Sequence, residues 1–206
     1  VMPSSTFAAT PAAAMAVGLK PYFVDVNRES WALEPAAVEA VLAKLPGEVA
    51  AVMPVSPFGA PVDAATWDAF AVRTGIKVVL DAAGAFDALR PGKTPAMVSL
   101  HATKVLGVGE GEVVVARAPE LVERLRHLSN FGISSKGAEI PGGNYKMSEY
   151  AAAVGLAALD VWPQTRQTVI DLAATYREAF AGLAKLRLPR WFGDFGGAYC
   201  SIELTN

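Results

Sequence analysis

The chain has 206 residues, 52% of them hydrophobic, enough to bury a sizeable core in one large or two small domains. Eighteen basic against 20 acidic side chains leave a formal charge of -2, which excludes the basic field that nucleic acid or an anionic membrane surface requires and leaves small molecules as the expected partners. The single cysteine, Cys200, excludes an intrachain disulfide, and His101 and His127, the only histidines, offer no metal-ligand spacing.

A reducing cytoplasm fits this composition. The opening VMPSSTFAATPAAAMAVG is apolar without a basic flank, and no stretch reaches the roughly 18 apolar residues of a membrane span. Val1 opens directly onto a Pro-Ser-Ser-Thr segment, and AYCSIELTN reads as a terminal strand with no element after it. The sequence therefore reads as part of a longer protein.

From Thr6, TFAATPAAAMAVG predicts a helix that Gly18 stops, followed by KPYFVDV as a buried strand. Pro35 opens a second helix with Val38, Val41 and Leu42 on one face and Pro46-Gly47 at its end. VAAVMPV from Val49 is a second buried strand; Asp63 caps the helix DAATWDAFAVRTG, Gly75 ends it, and IKVVLDAA is a third strand leading into Asp81. MVSL and EVVVAR are two further short strands flanking Lys104, APELVERLRHLSNF is an amphipathic helix, and ISSKGAEIPGGNYK is a polar loop. Helix returns from Met147 to Leu186, broken near Trp162-Pro163, and RLPRWFGDFGGAYCSIEL begins a smaller α+β unit.

Strand and helix alternating in this way predict a parallel sheet with helices on its faces, which binds ligands at the carboxyl ends of its strands. Asp81 stands at such an end, and Lys104 follows 23 residues later, just past MVSL. An aspartate and a lysine at one sheet edge are the pair that pyridoxal phosphate chemistry requires, the lysine as Schiff-base former and the carboxylate as partner of the pyridine nitrogen. Taken alone, the aspartate also reads as a turn cap and the lysine as a solvated surface residue.

TFAAT, KPYFVDV, PVSPFGAP, LDAAGAF, SLHATKVLGVGEGE and GGNYKMSEYAAAVGL occur in the order and at about the spacing of the DegT/DnrJ/StrS family of pyridoxal-phosphate-dependent sugar aminotransferases, which the chain resembles over nearly its whole length. The most specific pieces are S-L-H-A-T-K followed by G-E-G, and N-Y-K-M-S-E followed by a small-residue helix. The resemblance implies the α/β fold of type I pyridoxal phosphate enzymes, a three-layer sandwich with a mostly parallel central sheet. Residues 1–160 would form the cofactor-binding large domain, and 161–206 the linker helix and the start of a small α+β domain.

It further implies a nucleotide-linked keto-sugar substrate, an amino donor such as glutamate, and a homodimer with shared sites. Carried over by residue, Lys104 becomes the Schiff-base lysine and proton shuttle, and Asp81 the pyridine-nitrogen partner. Phe7 becomes the aromatic stacked on the cofactor ring, Ser99 a phosphate ligand, and Asn144 a ligand to the phosphate of the neighbouring subunit. Other readings stand beside these: Phe7 as plain core, Ser99 as a local backbone partner, Asn144 as a loop residue in a left-handed conformation. His101 reads as structural or as lining the site, Glu110 as orienting its loop or contacting Lys104, and His127 as a surface residue. GVGEG lacks the spacing of a phosphate-binding fingerprint, and its glycines read as allowing close backbone approach.

Three positions depart from the family pattern: Gly84, where Gln or His is usual, Asp87, where glycine is common, and Glu112 in place of the second glycine of G-E-G-G. The family's phosphate-cradling helix start would precede Val1 and the rest of its small domain would follow Asn206, so the chain reads as the central part of an aminotransferase. Gly84, Glu112 and those ends also motivate a competing reading, a non-catalytic relative that keeps the fold for dimerisation or regulation. Decarboxylation on the same cofactor is a third.

Overall fold

A computed structural model describes residues 1–205; Asn206, the last residue of the predicted terminal strand, lies outside them. In chain order the elements are β1 (Met2–Pro3), α1 (Ala9–Ala16), β2 (Phe23–Val24), α2 (Pro35–Leu42), β3 (Ala51–Val52), a 3-10 turn (Pro57–Gly59), α3 (Ala64–Thr74), β4 (Lys77–Val78), β5 (Leu80–Asp81), β6 (Ala96–Ser99) and β7 (Glu112–Val115). There follow α4 (Pro119–Ser129), β8 (Ile133–Ser134), β9 (Gly137–Ala138), α5 (Glu149–Asp160), α6 (Trp162–Phe180), β10 (Leu186–Arg187) and β11 (Glu203–Leu204).

The local signals explain most of these boundaries. Pro35 occupies the first turn of α2, where its missing N–H costs no hydrogen bond. Asp63 accepts from the Ala65 N–H to cap α3, and Gly75 ends it in the left-handed conformation at φ 71°. Ser148 caps α5 through the Ala151 N–H. The predicted break near Trp162 is a junction of two helices at Val161, and Pro163 lies in the first turn of α6 rather than kinking a continuous helix.

Strands β1 to β7 join into one hydrogen-bonded surface, while β8–β9 and β10–β11 form separate two-stranded pairs. β1 pairs parallel with β2, β3 with β4, and β5 with β6, while β7 runs antiparallel to β6. The Met53 N–H donates to Val1 O at 2.8 Å, tying β1 to β3, and the Asp81 N–H donates to Pro54 O at 2.8 Å, tying β3 to β5. The sheet is thus mostly parallel, with β7 on an edge. Leu33, Val38, Val52, Trp67, Phe70, Leu80 and Val98 lie in its buried core, with the Trp67 and Phe70 rings edge to face at 5.4 Å. A second cluster, Leu100, Leu106, Val108 and Ala151, seats α5 on the loop that follows β6.

Several expectations need correction. The KPYFVDV strand is not buried throughout: Val24 is enclosed and Phe23 is half exposed. EVVVAR forms the edge strand β7, with Val113 and Val114, which point to opposite faces, both partly open to solvent. The first helix begins at Ala9 rather than Thr6, and the Thr6 hydroxyl lies 2.6 Å from that of Thr10. The polar loop contains the β8–β9 hairpin, with Ser134 opposite Gly137. His127 is partly buried, its Nε2 shielded from water and 3.7 Å from Glu139 Oε2, because the segment after α4 folds back over it. No helix among the described residues is long and apolar enough to cross a membrane.

Candidate active site

The parallel register Leu80 opposite Ala96 and Asp81 opposite Met97 brings the carboxyl ends of β5 and β6 side by side. Both backbone groups of Asp81 are engaged: its N–H donates to Pro54 O and its carbonyl accepts from the Ser56 N–H, each at 2.8 Å. Its carboxylate is 9% exposed at the residue level. Oδ2 accepts the Thr10 hydroxyl at 2.7 Å and Oδ1 accepts the Ala83 N–H at 3.1 Å. A carboxylate offers about four lone-pair sites, so these two bonds fix its plane and leave acceptor capacity free.

Lys104 lies on the next loop of the same edge. The Lys104 N–H donates to His101 O at 2.8 Å, inside a tight reversal closed by Ala102 N–H to Gly109 O at 2.7 Å and Leu100 N–H to Gly111 O at 2.8 Å. Gly107 serves close backbone approach, since a Cβ there would stand 2.8 Å from Ala102 O. The Lys104 side chain is partly buried, and its Nζ donates toward Tyr199 Oη at 3.5 Å, 5.8 Å from that ring's centroid.

Ser99 ends β6. Its Oγ accepts the His101 N–H at 3.2 Å, which leaves the hydroxyl proton available for a ligand. Phe7 is 80% exposed, so the plain-core reading fails: it sits ahead of α1, and its carbonyl accepts the N–H of Thr10, the residue that holds Asp81. Asn144 is exposed and pairs through its backbone with Asn130, away from the bonds that join the other residues. His101 turns its Nδ1 toward Thr103, 2.9 Å from the hydroxyl, and its Nε2 lies 3.5 Å from Glu110 rather than either residue engaging Lys104.

Sequence reasoning missed Thr10 and Tyr199. A buried threonine one turn after an aromatic was the available sign of the first; nothing local marks the second. It also left Gly84 and Asp87 unexplained. A Cβ on Gly84 would approach Gly59 N to 3.1 Å, so the bare backbone admits the Pro57–Gly59 turn. Asp87 accepts Arg166 Nε at 2.9 and 2.8 Å and the Gly196 N–H at 2.8 Å. Glu112 is a solvent-facing residue opposite Ser99.

A mostly parallel sheet with helices between its strands, and with a buried acid, a lysine and a serine near the carboxyl ends of β5 and β6, is the arrangement of α/β domains that take ligands at that edge. More narrowly, the chain belongs to the DegT/DnrJ/EryC1/StrS aminotransferase family, whose sequence profile matches residues 1–191. It is 36% identical over 200 residues to the dTDP-3-amino-3,4,6-trideoxy-alpha-D-glucose transaminase of Streptomyces venezuelae, covering 92% of this chain and 51% of that protein. Among solved structures it is similar to DesI, crystallised in the presence of its TDP-sugar product, with TM-score 0.84 and 35% identity over 98% of this chain and 53% of that one. NtdA of Bacillus subtilis with bound cofactor PMP aligns with TM-score 0.84 and 25% identity, over 98% of this chain and 48% of that one. The chain spans about half the length of the curated relatives it matches, between 41% and 53% for those most similar.

Proposed function

We propose that this chain is the central part of a pyridoxal-phosphate-dependent aminotransferase that moves an amino group from a donor such as glutamate to a keto group on a nucleotide-linked sugar. The observation that carries the reading is the pair at the sheet edge: Asp81, buried and held in plane by Thr10 and Ala83, beside the loop that bears Lys104. The identity of the relatives as dTDP-sugar transaminases, and the PMP bound by NtdA, support the substrate and cofactor classes.

The residues present fit that cofactor. Asp81 has lone pairs left for a pyridinium N–H, Ser99 has a proton left for a phosphate oxygen, and Phe7 exposes a ring face for stacking. Asn144, exposed on its loop, is suited to reach the phosphate held by a second copy, so the working unit is a cytoplasmic homodimer with shared sites.

When bound, pyridoxal phosphate supplies an electron-accepting ring conjugated to the carbon that exchanges its amino group. Asp81 keeps a proton on the ring nitrogen by offering a fixed negative partner. Lys104 Nζ would hold the group and, once freed by the incoming amine, would serve as the base that takes the proton from the substrate Cα and delivers it to the cofactor's C4′, across the nitrogen between them. Gly84 and Glu112 do not favour the non-catalytic reading, because packing against Gly59 accounts for the one and the exposed edge for the other.

The test is the full-length protein with pyridoxal phosphate. A visible absorption band that appears in the parent and is absent in Lys104→Ala, together with glutamate-dependent amination of a dTDP-keto-sugar, is expected. Lack of the band in the parent would dismiss the reading.

A further inference from the structure

Four aromatic rings lead from the body of the protein to the candidate lysine. Trp191 and Trp31 meet edge to face at 6.1 Å, Trp31 and Phe58 at 6.0 Å, and Phe58 and Tyr199 at 6.1 Å, and Tyr199 is the ring beside Lys104 Nζ. Trp31 at φ 58° and Phe58 at φ 51° both occupy the left-handed region, which a bulky residue adopts at a cost of about 1–3 kcal/mol. The backbone at these two positions is therefore held by the contacts around it.

The other end of the array is pinned by charge. Gly196, three residues before Tyr199, gives its N–H to Asp87 Oδ2 at 2.8 Å, and the same carboxylate receives Arg166 Nε from α6. Asp87 is mostly enclosed, with a side chain 11% exposed, so removing its partner leaves a costly unpaired charge. One short segment, Asp81 to Asp87, thus does three things: it presents the buried carboxylate, it admits the Pro57–Gly59 turn at Gly84, and it anchors the arm that carries Tyr199.

From this we infer that Tyr199 is a positioning residue for Lys104, and that the Asp87–Arg166–Gly196 clamp sets its place. The inference rests on the assignment of Lys104 proposed above. A lysine side chain carries about 2 kcal/mol of rotamer entropy, and an amine displaced by about 1 Å from its reacting carbon can lose on the order of a hundredfold in rate. The Tyr199 hydroxyl can accept from an ammonium or donate to a free amine, so it restrains Nζ in both protonation states. Its ring, 39% exposed, meets Phe58 edge to face on one side, and its backbone lies three residues beyond the clamped Gly196.

Reductive trapping tests this in the full-length protein. The lysine amine attacks the aldehyde carbon of pyridoxal phosphate, water leaves to give the C=N bond, and hydride from borohydride adds to that carbon to leave a stable secondary amine. Peptide mass spectrometry then gives the labelling rate at Lys104 relative to the exposed Lys77. Tyr199→Phe keeps the ring on Phe58 and is expected to slow labelling of Lys104 about tenfold relative to Lys77 with an unchanged melting temperature. Asp87→Asn is expected to give a comparable loss, and the double variant no more than either alone, as coupled residues do.

Equal labelling of Lys104 in the parent and Tyr199→Phe overturns the positioning role while leaving the functional assignment standing. Failure of the parent itself to label Lys104 faster than Lys77 overturns the assignment.

Discussion

The hydroxyl of Thr10 donates to Asp81 Oδ2 over 2.7 Å, joining two buried residues 71 positions apart. It ties the first turn of α1 to the carboxyl end of β5, so the aromatic ahead of that helix and the carboxylate at the strand end are placed by one bond.

Thr10→Val keeps the shape of the side chain and removes that donor. Oδ2 then loses its side-chain partner in an enclosed site, which costs about 1–3 kcal/mol. Chemical denaturation is expected to show that loss, and pyridoxal phosphate should dissociate more readily. An unchanged denaturation midpoint would show that water replaces the threonine.

Phe7 gives the opposite pattern. Because the residue is 80% exposed, Phe7→Ala should leave the melting temperature within experimental scatter. An aromatic pair is worth about 0.5–1.5 kcal/mol beyond burial, so cofactor affinity measured by spectral titration should fall roughly threefold to tenfold.

Gly59 and Gly18 separate backbone strain from collision. Both have positive φ, 87° and 78°, but a Cβ on Gly59 would stand 2.5 Å from Gly84 O, whereas one on Gly18 meets nothing within 4 Å. Gly18→Ala is expected to cost about 1 kcal/mol, from backbone conformation alone. Gly59→Ala should cost at least about twice that and disturb the Phe58 and Tyr199 rings, seen as a change in near-ultraviolet circular dichroism.

Asp68 provides a pH-dependent test away from the site. Burial pushes its carboxyl up, but the Thr94 hydroxyl and the N–H groups of Lys93 and Thr94 outweigh burial, and the net effect holds it below the ordinary 3.8. A carboxyl lowered on folding contributes stability that is complete above the unfolded value and fades as pH falls through the folded one. Asp68→Asn should therefore destabilise the protein at neutral pH by about 1–2 kcal/mol. Its loss of stability on acidification below the carboxylate range should be shallower than the parent's, as measured by urea unfolding across pH.

The amino-acid sequence by itself determined the local features of this protein. Pro35, Asp63, Gly75 and Ser148 act within a few residues of themselves through caps and φ angles, so the helices they bound are legible in order. The apolar runs that end at Asp81 and Ser99 likewise mark strand ends, and a parallel alternation brings such ends to one edge. Strand length was less legible, since KPYFVDV and VAAVMPV have the composition of full strands but pair over two residues each in the ladder. Only the tertiary structure decided which side chains meet at that edge. Thr10 reaches Asp81 from 71 residues away and Tyr199 reaches Lys104 from 95, and contacts of that kind depend on how layers stack, which leaves no period, cap or spacing in the chain. The same reason explains Gly84 and Asp87, unexplained as letters in a string: one is small because another backbone lies against it, the other charged because a distant arginine and a distant N–H converge on it.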